Sequence, residues 1–155
     1  MSISHGYSDQ HRPLAAYGLL TAAFGVLFGG GTAALHRRLP ERPRATDVAL
    51  AGVATYKISR LLAKDRVTSV LRAPFTRYAG ESGPSEVSEE PRGRGLRLAL
   101  GELLVCPYCV GQWVAGGMAL GQVAAPRTTR FVAATFAAYA LADALQMAHA
   151  EAMPS

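Results

Sequence analysis

Leu14 to Leu35 is a run of 22 residues without a charged side chain. That length matches the roughly 20 apolar residues that cross a hydrocarbon layer about 30 Å thick. A signal peptide is the competing reading. The run is longer than the usual ~7–15 apolar residues of such a segment, and the residues before it hold one Arg and no Lys. We read it as an uncleaved membrane helix. Its Gly25-x-x-x-Gly29 spacing admits close approach of another backbone.

Three more apolar segments follow. Thr46 to Ala63 has Thr46 or Asp47 as a cap, and beyond it only Lys57 and Arg60 as charges. Leu98 to Ala125 carries only Glu102. Phe131 to Ala148 carries only Asp143 and sets Ala133, Ala137, Ala140 and Ala144 roughly on one face. The chain is 50% hydrophobic and 17% charged, against about 25% charged for a soluble domain. This composition excludes a mainly disordered chain, and two cysteines exclude a disulfide framework. The expected fold is all-α: a small integral membrane bundle of four hydrophobic helices at about 14–35, 46–63, 98–125 and 131–148.

The polar remainder divides the chain. Residues 1–45 hold the first helix and a basic loop, His36 to Arg44, with four Arg and two Pro. Residues 46–150 form the main membrane domain. Within it Lys64 to Tyr78 is basic with spaced apolar residues, a pattern that lies on a membrane surface. Residues 79–95 are dominated by Gly, Pro, Ser and Glu and read as a mobile polar loop.

Lys and Arg near the spans set orientation. The stretch Lys64 to Arg97 holds seven of them. Four spans with both termini inside put the larger share, including Lys57 and Arg60, on the side of that stretch. A second arrangement lays helix 46–63 in the interface and puts both basic stretches inside. Both place loop 64–97 in the cytoplasm of a bacterial inner membrane. Anionic lipid headgroups are the expected partners of the basic loops; nucleic acid is not.

Cys106-Pro107-Tyr108-Cys109 brings two sulfurs within bridging reach on one turn. Such pairs exchange disulfides or supply half of a zinc site. CPYC also occurs at glutaredoxin-type sites, but the βαβ pattern of such a protein is not found here. Pro107 disfavours helix at Cys106 and suits the first turn of a new helix. The third segment is thus expected to kink near Cys106-Pro107. Both cysteines then sit at a helix N-terminus, where the dipole favours thiolate. Three readings stay open: packing as small apolar residues, thiol redox chemistry, and a metal site of four sulfurs pooled across a homodimer. His5, His11, His36 and His149 have no ligand-like spacing to the pair, and no cofactor is called for.

Lys57, Arg60, Glu102 and Asp143 are charges inside apolar segments, where ionisable groups are costly and tend to pair. Arg60, Glu102 and Asp143 fall near one boundary if successive helices are antiparallel. The expectation is a polar cluster with Arg60–Glu102 as its first pair. Trp113 reads as packing or an interfacial anchor. Gly111, Gly116, Gly117 and Gly121 read as close helix packing. No phosphate-binding Gly loop, Ser–His nucleophile or paired-carboxylate hydrolase pattern is present. The leading functional expectation is a non-enzymatic membrane component that binds a partner or aids assembly, with a homo-oligomer or another membrane protein as partner.

Ala54 to Tyr78, ATYKISRLLAKDRVTSVLRAPFTRY, and Gly101 to Trp113, GELLVCPYCVGQW, resemble a bacterial membrane-protein family of unknown function, domain of unknown function 1360. The resemblance runs from about Asp47 to about Met147. It implies a pattern carried by Arg60, Asp65, Arg72, Pro74, Phe75, Glu102, Cys106, Cys109, Gly111 and Trp113. The N-terminal helix is an addition to that pattern. The family has no established reaction, so the resemblance bears on architecture and residues and not on activity.

Overall fold

The computed structural model describes residues 12–153, which leaves His5 and His11 outside it. Its elements are α1 (Leu14–Ala34), a 3-10 turn (His36–Arg38), α2 (Ala45–Lys64), α3 (Ser69–Arg72), β1 (Thr76–Gly83), β2 (Glu86–Pro91), α4 (Gly95–Val105), α5 (Pro107–Ala124) and α6 (Pro126–Ala152). The chain is mostly helical, but the all-α expectation needs one correction. The stretch expected to be a mobile loop holds a two-stranded antiparallel sheet.

α2 lies between α5 and α6. Its Ala54 is fully buried and joins Met118 and Ala133 in the core, with Leu50, Ile58, Val114 and Phe136 packed around them. Small residues set the approach. A Cβ on Gly121 would come 2.8 Å from Thr129 Oγ1, and one on Gly111 would come 3.4 Å from Ser59 Oγ. α1 packs on α5 through Phe24, whose ring meets Trp113 edge-on at 5.3 Å. Gly25 and Gly29 face open space, so close approach falls at Gly31 against Leu120 and at Gly116 against Phe24.

α1 and α6 are long and apolar enough to cross a membrane, and the pair α4 and α5 makes a third span if counted as one. Large side chains such as Val26, Leu27, Phe131 and Leu141 point outward from α1 and α6. α2 carries Asp47, Lys57, Arg60 and Lys64 and does not qualify by composition among the described residues. The third apolar segment is two helices meeting at 84°. Cys106 is extended between them, and Pro107 opens α5, as the missing N–H and the restricted residue before proline require.

A cap covers one end of the helices. It consists of α3, the β1–β2 hairpin and α4. The hairpin pairs Thr76 with Pro91 at its base and Gly83 with Glu86 at its tip, with irregularities near Gly80 and Ser82. Gly80 has φ +144°, a conformation that L side chains rarely adopt. An isolated two-stranded hairpin is marginal in water, and this one buries a single large apolar residue, Val87. Ion pairs tie it down instead. Glu81, Glu86 and Glu89 meet Arg66, Arg60 and Arg72 outside it, and Glu90 meets Arg77 across its own two strands. The tip also bonds to the end of α2, with the Arg66 N–H donating to Ser85 O at 2.9 Å.

Arg72 is the centre of the cap and is 0% exposed. Its guanidinium donates to both Glu89 carboxylate oxygens at 3.0 Å each. It also donates to Leu62 O at 2.7 Å and Asp65 O at 2.9 Å, and reaches Thr68 Oγ1 and Ser69 Oγ. One side chain thus joins α2, α3 and β2. Thr76 Oγ1 donates to Glu89 as well, at 2.7 Å. Burial pushes the Glu89 carboxyl up, but hydrogen bonds from Arg72, Thr76 and Ser69 outweigh it and hold the group below its ordinary value.

Two outcomes follow for stability. Arg72→Ala leaves Glu89 buried without its partner and should cost about 3–5 kcal/mol in denaturant unfolding of the purified protein. The Glu89 contribution is fully present above the unfolded carboxyl value of 4.5 and is lost as pH falls through the lower folded value. Melting temperature should therefore drop more steeply in acid for the wild type than for Glu89→Gln. A third outcome concerns α4 against the hairpin base. A Cβ on Gly101 would meet Phe75 O at 2.6 Å and Pro91 Cβ at 3.1 Å, so Gly101→Ala should destabilise by about 1–3 kcal/mol in the same assay.

Candidate functional site

Side-chain partners fix the helix directions. Phe24 meets Trp113 and Gly31 meets Leu120, so α1 and α5 run parallel. Ser59 faces Gly111, and Gln122 Nε2 donates to Asp47 O at 3.1 Å, so α2 runs against α5. Arg130 pairs with Asp47 at 2.9 Å and Lys57 pairs with Asp143, so α2 and α6 run together. The start of α1, the end of α2, the start of α5 and the later part of α6 therefore gather at the capped end.

Lys57, Arg60, Glu102 and Asp143 all lie toward this end: Lys57 and Asp143 pair with each other, whereas Arg60 and Glu102 each take partners outside the four. Lys57 is buried, pairs with Asp143, and places Nζ 3.8 Å from the Tyr139 ring centroid. Arg60 donates twice from Nη2 and once from Nε to the Glu86 carboxylate, at 2.6 to 3.1 Å. Glu102 accepts from Tyr17 OH and from Arg12 Nη1, the latter at 3.3 Å. The expected Arg60–Glu102 pair is thus replaced. Glu86 lies within reach of Arg60 because the hairpin tip folds back onto α2. Glu102 turns toward the start of α1 instead.

The other residues of the pattern hold the cap. Asp65 ends α2, and its carboxylate accepts from the Val67 N–H at 2.8 Å. Pro74 O accepts two bonds from Arg97 at 2.6 and 2.9 Å. Phe75 O accepts from the Arg92 N–H at 2.9 Å. The Arg72-x-Pro74-Phe75 turn is therefore a backbone anchor for α4. Gly111 and Trp113 instead serve the packing of α5 on α2 and α1.

Cys106 and Cys109 are joined as a disulfide, with Cα atoms 5.2 Å apart. Of the three readings open for the pair, packing as buried small residues does not fit the exposure of Cys109. Cys106 is half-buried. Its sulfur accepts from the Cys109 N–H at 3.2 Å, and its carbonyl accepts from the N–H groups of Cys109 and Val110 at 3.0 Å each. Beside the pair lies a cleft of about 560 Å³ between α1, α4 and α5. Tyr17, Phe24, Glu102, Cys109, Gln112 and Trp113 contribute to its lining. Aromatic walls with a few polar groups are the usual make-up of a small-ligand or peptide-segment site. No cluster of three or more His, Cys, Asp or Glu suited to a metal occurs among the described residues.

Several of these residues escaped the sequence reading. Arg12 just before α1 and Tyr17 in its first turn were not read as partners of Glu102, because that segment was read for apolarity, flanking charge and glycine spacing. Glu86 and Glu89 sit in a segment read as mobile. One signal was available: a block of Arg from Arg60 to Arg77 is followed by a block of Glu from Glu81 to Glu90.

Comparison with known proteins places this site in a family. Sporulation protein YjcA of Bacillus subtilis (strain 168) is 30% identical over 102 residues, covering 64% of this chain and 86% of that protein. No solved structure matches. The profile described as Protein of unknown function (DUF1360) matches residues 50–149. That match takes in the cap, the cysteine pair and most of α2 and α6, and it begins after α1. The chain belongs to this family of unknown function.

Proposed function

We propose that this chain is a multi-pass component of the bacterial cytoplasmic membrane that acts by binding or helping to assemble a partner. In this reading α1, α2, α5 and α6 all cross, and the cap lies on the cytoplasmic side. One observation carries the four-span reading: α2 is sandwiched between α5 and α6 along its length. It runs beside α6 from the Asp47–Arg130 pair to the Lys57–Asp143 pair. If α6 crosses, α2 crosses with it. A helix face turned to protein tolerates paired charges; Lys57 and Arg60 take partners there, while Val48, Val53 and Tyr56 occupy the exposed side.

Orientation follows from the Lys and Arg excess at the capped end. Much of that charge is answered inside the cap by Glu81, Glu86, Glu89 and Glu90. Carboxylates weigh little in the orientation rule, so the preference stands. Beside Lys64 and Arg66, the side chains of Val67, Val70 and Leu71 are exposed. That pattern suits a segment resting on anionic headgroups.

Topology is checked by single cysteines in a Cys106→Ser/Cys109→Ser background. Ser82→Cys should react with a membrane-impermeant maleimide only after permeabilisation, and Glu41→Cys and Thr128→Cys should react in intact cells. If Glu41→Cys and Ser82→Cys label from the same side, α2 does not cross. The pairing within the bundle is checked by double-mutant cycles. Lys57→Ala and Asp143→Ala should couple by about 0.5–3 kcal/mol, whereas Arg60→Ala and Glu102→Ala should add to within about 0.5 kcal/mol.

A further inference from the structure

We infer that Cys106–Cys109 is an exchanging disulfide whose attacked sulfur is Cys109, reached from the cleft, with Cys106 as the leaving thiolate. The substrate class is a thiol, either of a cysteine in a protein segment or of a low-molecular-weight thiol. The inference goes beyond partner binding, because it assigns the contact a covalent chemistry.

A structural staple is the alternative role, and the geometry disfavours it. The two cysteines are three residues apart in sequence. The bond closes a loop within one helical turn that backbone hydrogen bonds already close. Disulfides that constrain the unfolded chain most are those that close long loops. This one ties no distant elements together.

Access and leaving-group stability select the same direction of attack. Cys109 is exposed and lines the cleft, while Cys106 is half-buried. The sulfur that leaves must carry negative charge, and exchange is faster when that charge is stabilised. Cys106 Sγ accepts the Cys109 N–H at 3.2 Å at the start of an 18-residue helix. The positive end of that helix favours an anion there. Cys109 shares the first turn of that helix, but its own N–H is given to Cys106 Sγ.

The exchange balances without an outside oxidant, since the disulfide supplies it. An incoming thiolate attacks Cys109 Sγ. The Cys106–Cys109 bond breaks, and its electron pair leaves on Cys106 as thiolate. A second thiolate attacks the substrate sulfur of the mixed disulfide, forming the substrate disulfide and releasing the Cys109 thiolate. Two thiols are oxidised, the pair is reduced by two electrons, and the two protons shed by the thiols are available to the cysteines. The same steps run backwards to reduce a substrate disulfide. In a cytosolic setting bonds of this kind are transient and catalytic or redox-sensing.

The test uses the oxidised full-length wild-type protein in lipid nanodiscs. Glutathione and a short cysteine-containing peptide are the two probes. After acid quenching, freed thiols are alkylated and adducts are mapped by mass spectrometry. The expected result is probe on Cys109 and alkyl label on Cys106. A faster peptide reaction assigns a protein thiol as substrate, and faster glutathione assigns a low-molecular-weight one. Probe on Cys106, or no thiol freed from the pair by either probe where a phosphine reductant opens the bond, overturns the inference. In Cys106→Ser, a mixed disulfide made on Cys109 with oxidised glutathione should outlive the wild-type adduct at least about tenfold, because the returning thiolate is gone. Equal lifetimes would also overturn it.

Discussion

The Arg72–Glu89 contact is the interaction on which the capped end depends. A fully buried guanidinium is expensive unless every donor finds a partner. Arg72 meets that condition by taking carbonyls from the end of α2, hydroxyls from the turn into α3, and a carboxylate from β2. Satisfying one side chain therefore requires three elements to be in place together. The hairpin buries little apolar surface of its own, so its order is borrowed from this network and from the three exposed or half-exposed pairs beside it. The tip then delivers Glu86 to Arg60, and the base delivers Phe75 O and Pro91 to Gly101. Within the cap the hairpin is locked by charge and its base is seated on α4.

The bundle follows a different rule. Its core of Ala54, Met118 and Ala133 is small, and close approach comes from Gly and Ala rather than from bulky side chains. Packing through small residues suits helices that gain no hydrophobic advantage over lipid when they associate. The charges of α2 lie at its start and in its second half. Asp47 meets Arg130 at one end, and Lys57 meets Asp143 and Tyr139 toward the other. Where cap and bundle meet, the chain turns through 84° at Cys106. That turn places the disulfide, Glu102 and Trp113 around one cleft, so the least regular backbone in the helical part lies beside the residues with the most chemistry.

How far the residues could be read in advance varied with the range of the interaction. The uncharged run in α1 and the break at Cys106-Pro107 are local properties, and both are visible in the chain. So is the pair of sulfurs on one turn. The hairpin was not legible, because Gly80, Gly83, Pro84 and Ser85 with four Glu have the composition of a mobile segment. Its order comes from Arg residues up to 26 positions away in sequence. The Arg60–Glu102 expectation put both residues toward one end of the helices, where they lie, but Arg60 meets Glu86 and Glu102 meets Arg12 and Tyr17. Depth along a helix is a one-dimensional quantity, whereas partner choice depends on which helix face meets which neighbour.

The sequence by itself therefore determined an apolar helical chain, the point where its third segment breaks, and the proximity of Cys106 to Cys109. Hydropathy, proline sterics and one-turn spacing act over a few residues and need no neighbours. Only the tertiary structure decided that α2 packs on both α5 and α6, that Lys57 pairs with Asp143, and that Arg60 and Glu102 take different partners. It also decided that the acidic stretch is a hairpin and that Cys109 opens into a cleft beside Glu102. Those outcomes depend on helix directions and on a buried arginine whose donors are satisfied by residues far apart in the chain.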